Sequence, residues 1–190
     1  MNHAWESATT YSTLQELANA STIIVIGNVT STKTVGVGSN PVVPVTIYNV
    51  TVSAVFRHEF AGGVVPGLVI PVGMVGGTIG NNTMTVAGYP TLTKGGTYIL
   101  FLNPAGGIYT GNSRIDAGAG FLENYVDTTG DLELMTQGGP QGLYYVQGGM
   151  VCSIESIYPQ TDAWLPIKLS GTPLAQFIEQ LQTIVATLPK

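Results

Sequence analysis

Runs of β-branched and aromatic residues recur along this chain at intervals of roughly ten residues, each ended by glycine, proline or asparagine. Side chains branched at Cβ lose rotamer freedom in a helix but pack well on a pleated surface. The spacing therefore predicts short strands joined by tight turns, as in a barrel or a sandwich. Thr22 to Val29 is apolar with hardly a break, which predicts a strand covered on both faces. Val45 to Arg57 instead alternates: Tyr48, Val50, Val52 and Ala54 should share one face, and Asn49, Thr51 and Ser53 the other. Val64 to Val75 is interrupted by Pro66, Gly67, Pro71 and Gly73, the mark of an edge or bulged strand. Further strands are expected at 84–87, 97–102, 107–110, 120–125, 132–135, 143–147 and 150–154. Ser31 to Pro41, rich in Gly, Ser, Asn and Pro, reads as a loop.

Two helices flank this pattern. Ser12-Thr13-Leu14-Gln15 fits a capping box, with Ser12 as N-cap, and Leu14, Leu17 and Ala18 give a short apolar stripe ending near Asn19 or Ala20. At the other end Thr172 is the expected cap and Pro173 the first helical residue, where its missing N–H costs nothing. Leu174, Phe177, Ile178, Leu181, Ile184, Val185 and Leu188 then recur at helical spacing over 173–188. Residues 1–11 show no helical period and read as an extended arm, and 12–190 as a single β-rich domain. The expected fold class is thus mainly β: an OB-like barrel or a β-sandwich with a short N-terminal helix and a C-terminal amphipathic helix.

Composition narrows the setting. Hydrophobic residues make up 44% of the 190, enough for a sizeable core, but charged residues only 9%, against about 25% in an average soluble protein. Thr, Ser, Asn, Gln and 25 Gly fill the gap. A surface kept soluble by hydroxyls and amides rather than by mixed charge points to an extracellular or cell-surface β-protein. Only six Lys and Arg are present, at Lys33, Arg57, Lys94, Arg114, Lys168 and Lys190, and the net charge is −5. So scattered a set cannot displace counterions along a phosphate backbone, and nucleic acid is not an expected partner. No apolar run is long enough for a membrane-spanning helix, and Met1 to Tyr11 lack the n- and h-regions of a signal peptide. The single Cys152 excludes an intrachain disulfide. Four glycosylation sequons begin at Asn19, Asn28, Asn49 and Asn81, with Asn49 expected on the outer face of its strand.

Groups able to carry catalysis are few. His58, in Phe56-Arg57-His58-Glu59-Phe60, is a general base or ligand only if partners converge on it, and an exposed loop residue otherwise. Cys152 lies among Val151, Ser153 and Ile154, and reads as a small strand residue. Asp116, Glu123, Asp127, Asp131 and Glu133 form an acidic stretch. Asp127 and Asp131 offer a weak calcium site without EF-hand spacing, and otherwise a solvated hairpin turn. A pair of these acids would also suit glycoside hydrolysis, as would pairs in any chain with this many acids. Tyr144 and Tyr145 read as an ordinary strand pair, one in and one out, or as a face for a sugar or partner. No cofactor motif is present.

The block from Tyr11 to Leu102 carries a family likeness. A helix with Leu14-Gln15-Glu16-Leu17-Ala18 precedes a strand ending Ile24-Val25-Ile26-Gly27-Asn28-Val29. A long strand with Tyr48, Val50 and Val52 follows, and Lys94-Gly95-Gly96-Thr97-Tyr98-Ile99-Leu100-Phe101-Leu102 closes it. This order resembles the OB-type barrel modules of the netrin and tissue-inhibitor family, in the form of a secreted microbial module. The resemblance implies an extracellular β-barrel. Those inhibitors act through an N-terminal cysteine; this chain reads Met1-Asn2-His3-Ala4 and has only Cys152, so inhibition is not implied.

The function expected from these features is contact, not catalysis: a structural surface protein that polymerises with copies of itself. The arm, with Ala4, Trp5, Ala8 and Tyr11, would add a strand to a neighbour's open sheet edge. The alternative is a monomeric secreted module that binds a protein or a glycan.

Overall fold

The structure, a computed structural model, describes residues 11–37, 42–59, 63–85, 91–104, 134–136, 139–153, 167 and 169–189. It is mainly β. Helix α1 (Leu14–Asn19) leads into β1 (Ile23–Val37), β2 (Val43–His58) and β3 (Val69–Val75). A small hairpin of β4 (Gly77–Ile79) and β5 (Asn82–Met84) follows, then β6 (Thr97–Pro104) and β7 (Leu134–Thr136). A 3-10 turn at Gly139–Gly142 opens β8 (Leu143–Gln147), β9 (Met150–Ser153), β10 (Ser170–Pro173) and helix α2 (Leu174–Ala186).

Among the described residues eight strands share one sheet in the order β1-β2-β3-β7-β6-β8-β9-β10, and β1 also pairs with β6. β1 and β6 make a six-pair antiparallel ladder from Ile23↔Leu102 to Asn28↔Thr97. Across the ring, β3 and β7 meet in parallel at one pair, Val72↔Leu134. The sheet thus curls back on itself, firmly on the β1–β6 side and through a single bridge on the other. It is not a sealed barrel.

Curling gives β1 and β6 two buried faces, and their sequences follow. Ile23, Val25, Tyr98, Leu100 and Leu102 point inside the curl with Val50, Val52, Ile70 and Val72. Ile24, Ile26, Ile99 and Phe101 point outside, under the helices, with Leu14, Leu17, Tyr144, Phe177 and Leu181. The continuous apolar runs arise because every residue faces one core or the other. Phe101 meets Tyr144 edge-on at 5.9 Å between ring centres, and Tyr144 lies 5.7 Å from Phe177. Burial raises the Tyr144 phenol well above the ordinary tyrosine pKa.

Polar clasps fix the helix to the sheet. Asn103 Oδ1 accepts from Thr22 N at 2.8 Å, and Asn103 Nδ2 donates to Ala20 O at 2.9 Å. Arg57 Nη1 donates to Ala18 O at 2.7 Å, satisfying a carbonyl at the α1 C-terminus. Arg57 also forms an ion pair with Glu59.

Several expectations change. The cap of α1 is Thr13, whose hydroxyl accepts from Glu16 N, while the Glu16 carboxylate accepts from Ser12 N; the box is displaced by one residue. Ser31–Val37 is strand, not loop, because it continues the β1–β2 hairpin as far as Val37↔Val43. Ala54 leaves the face of Val52 and packs under the helices, since the β1–β2 register shifts at Ile24/Val25 and Ile26/Gly27. β3 starts only at Val69, after a turn at Pro66-Gly67. The strand expected at 84–87 is β5, Asn82–Met84, and β4 before it was not expected. The α2 N-cap is Pro173, at ψ 132 and with no side-chain cap bond, because Thr172 is held in β10 opposite Val151. The strands expected at 107–110 and 120–125 lie outside the described residues.

Candidate functional site

β1 has two halves. As far as Asn28 it is paired on both sides, by β2 and by β6, and the 93–96 turn adds Val29 N→Gly96 O at 3.0 Å. From Ser31 to Val37 it pairs only with β2; among the described residues no ladder occupies its other side. Ser31, Thr32, Lys33 and Gly36 are exposed there. Such an edge presents unpaired N–H and C=O groups to any chain that can lie along it.

One face of this distal half forms the wall of a cleft of about 430 Å³. Thr32, Thr34, Thr46 and Tyr48 come from β1 and β2; Thr78, Thr83, Met84 and Thr85 come from the β4–β5 hairpin and its exit. Met74, Thr91 and Leu92 also line it. Strand alternation places Thr32 and Thr34 on this face and turns Lys33 and Val35 to the other, where Val35 packs with Val45, Ile47 and Val75. Hydroxyls link the walls: Thr34 Oγ1 and Thr46 Oγ1 lie 3.2 Å apart, Thr46 Oγ1 donates to Gly76 O at 2.8 Å, and Thr78 and Thr83 hydroxyls lie 3.0 Å apart. Gly77, at φ 128°, lets the hairpin approach this closely; a Cβ there would stand 2.5 Å from Thr46 Oγ1.

Among the described residues the lining offers hydroxyls, thioethers and aliphatic groups, and no carboxylate, imidazole or thiol. It can hold a ligand by shape and neutral hydrogen bonds.

None of the described residues singled out in the sequence as site candidates lines the cleft. Of the arm, Ala4, Trp5 and Ala8 lie outside the described residues. Tyr11 is half-buried under the helices, and its N–H donates to Gln141 Oε1 at 2.9 Å. His58 ends β2 in solvent, close to Gly63. Cys152 is half-buried in β9. Among the described residues no three His, Cys, Asp or Glu side chains are grouped to hold a metal, and the acidic stretch with Asp127 and Asp131 lies outside them. Tyr144 and Tyr145 do not form an open face: Tyr144 is buried under the helices and Tyr145 packs against the inner core.

The sequons occupy different settings. Asn81 is exposed in the β4–β5 turn, and Asn19 is exposed at the end of α1. Asn28 Nδ2 donates to Gly95 O at 2.8 Å and Asn49 Nδ2 to Ser31 Oγ at 2.9 Å, so a glycan on either would have to take the other amide hydrogen.

Sequence reading missed the cleft because its walls come from separate segments. The available signal was threonine at alternate positions, Thr32 and Thr34, facing Thr46. Among the described residues no helix is long and apolar enough to cross a membrane. Compared with family models, curated proteins and solved structures, the chain matches none.

Proposed function

We propose that this protein is a non-enzymatic extracellular structural subunit that assembles with copies of itself by strand addition. The observation that carries the reading is the one-sided pairing of β1 from Ser31 to Val37. An incoming strand gains main-chain hydrogen bonds there without displacing any ladder. The other candidate edges suit this less. β10 is four residues long and ends at Pro173, and β3 carries Pro71 and is already bridged to β7. The arm before Tyr11 is the donor. A contact between an arm and a different surface on the next molecule does not close on itself, so it propagates as a filament or lattice. The low charge and hydroxyl-rich composition support an extracellular setting. The strand circuit β1-β2-β3-β7-β6 supports the likeness to partly open OB-type barrels.

Removing residues 1–10 spares Tyr11 and its bond to Gln141. The truncated chain should remain folded by circular dichroism and stay monomeric in sedimentation velocity, whereas the full chain forms polymers visible by electron microscopy. Polymers that persist after truncation would refute the arm as donor.

The neutral lining of the cleft favours a second reading, a monomeric module that binds a glycan or a protein partner. It predicts a full-length chain that stays monomeric at high concentration and binds glycans through the cleft.

A further inference from the structure

Taking the strand-addition reading as its basis, we infer that the arm of one copy docks on distal β1 of the next with Glu6 opposite Lys33, which delivers Trp5 into the threonine-lined cleft. Three observations combine.

The first is charge. Lys33 is the one ionisable side chain on the free edge from Ser31 to Val37, and it is exposed. A lysine in the middle of an open edge discourages indiscriminate pairing, because most incoming strands would have to cover it. A strand carrying a carboxylate at the matching position is favoured instead. Between Ala4 and Thr10 the arm has one charged residue, Glu6.

The second is parity. Residues opposite one another in a ladder point to the same face, in parallel and antiparallel pairs alike, and neighbours along a strand point to opposite faces. If Glu6 shares the face of Lys33, Trp5 must share the face of Thr32 and Thr34. That is the face that lines the cleft. Its floor includes Met74, Met84 and Leu92, and its walls carry threonine hydroxyls. An indole buries its rings against the thioethers and leaves its N–H within reach of a hydroxyl.

The third is reach, and it decides between the chain's own edge and a second copy. Tyr11 is tied to Gln141, just before β8, whose Leu143 pairs with Leu100, itself opposite Val25. Tyr11 therefore sits beside the start of β1. At about 3.3 Å per residue, Lys33 lies on the order of 30 Å further along that strand. The five steps from Tyr11 back to Glu6 cover at most about 18 Å. Measured along the strand, Lys33 lies beyond the arm's span, which favours the Lys33 of a second copy.

The test uses the full chain and three charge variants, Glu6→Lys, Lys33→Glu and the double exchange, each checked for folding by circular dichroism. Each single reversal should raise the concentration needed for assembly roughly tenfold, because it places like charges opposite each other. The double exchange should restore it to near the original value. In a Trp164→Phe background, Trp5 emission should shift to the blue as the chain assembles. An original chain that assembles through its arm, with reversals that have no effect or an exchange that does not rescue, overturns the register and leaves strand addition standing. A full chain that stays monomeric at every concentration overturns strand addition and the register with it.

Discussion

β1 holds two environments in one strand. From Ile23 to Asn28 it is a central strand with a neighbour on each side and a core on each face. From Ser31 to Val37, among the described residues, it has a neighbour on one side only and mostly exposed side chains. The change of register between Val29 and Ser31 marks the transition. The contrast shows how one sheet can divide labour. Where β6 and the helices cover the strand, its residues hold the fold; where they stop, no second ladder among the described residues covers the backbone.

The two halves should respond very differently to substitution. Phe101→Ala empties space in the outer core between Tyr144 and β1 and should cost about 3–5 kcal/mol in urea denaturation. Val35→Ala, in the small distal cluster, should cost less than about 1 kcal/mol. Equal losses would break the distinction between the covered half and the edge half. Glycines in the two halves give a finer comparison. A Cβ on Gly27 would lie 2.3 Å from Val50 Cγ1 and 2.9 Å from the Thr51 carbonyl oxygen, so backbone must move. Gly27→Ala should destabilise by about 1–3 kcal/mol. On Gly36 the nearest atoms are Val42 Cγ1 and Ile79 Cδ1, ends of side chains that can yield. Gly36→Ala should cost under about 1 kcal/mol by the same measurement.

The smallest effect concerns pH. Burial raises the Tyr144 pKa in the folded state above the unfolded value of about 10. The folded chain therefore keeps a proton that the unfolded chain releases, and stability is fully present below about pH 10 and falls as pH rises further. Tyr144→Phe should leave urea midpoints near neutral pH little changed and flatten the decline above about pH 10. An unchanged slope would mean that the covered half does not exclude the phenolate.

Much of the covered half was legible in the sequence. Ile23 to Ile26 and Tyr98 to Leu102 announce burial on two faces because no polar residue interrupts them, and Leu14, Leu17, Phe177 and Leu181 mark the helices above. The distal half was not legible as strand. Apart from Val35 its described residues are mostly exposed or line the cleft, so Ser31, Lys33 and Gly36 lack the apolar alternation that marks a half-buried strand. The changed face of Ala54 was hidden for another reason: a register shift is a relation between two strands, and neither sequence alone contains it. The cleft was hidden because Thr34, Thr46 and Gly77 are brought together only by the hairpins.

The β1–β6 ladder has a consequence for how the chain must be made. Ile23 to Ile26 finds its second neighbour only when Tyr98 to Leu102 has been synthesised. Until then a β-prone, uncharged segment waits with one edge open, and chain closure over so long a loop is slow compared with the joining of adjacent hairpins. Delay at this step exposes a stretch able to pair with its copies in the wrong way, so a cell producing this protein gains from keeping nascent chains apart until β6 has emerged.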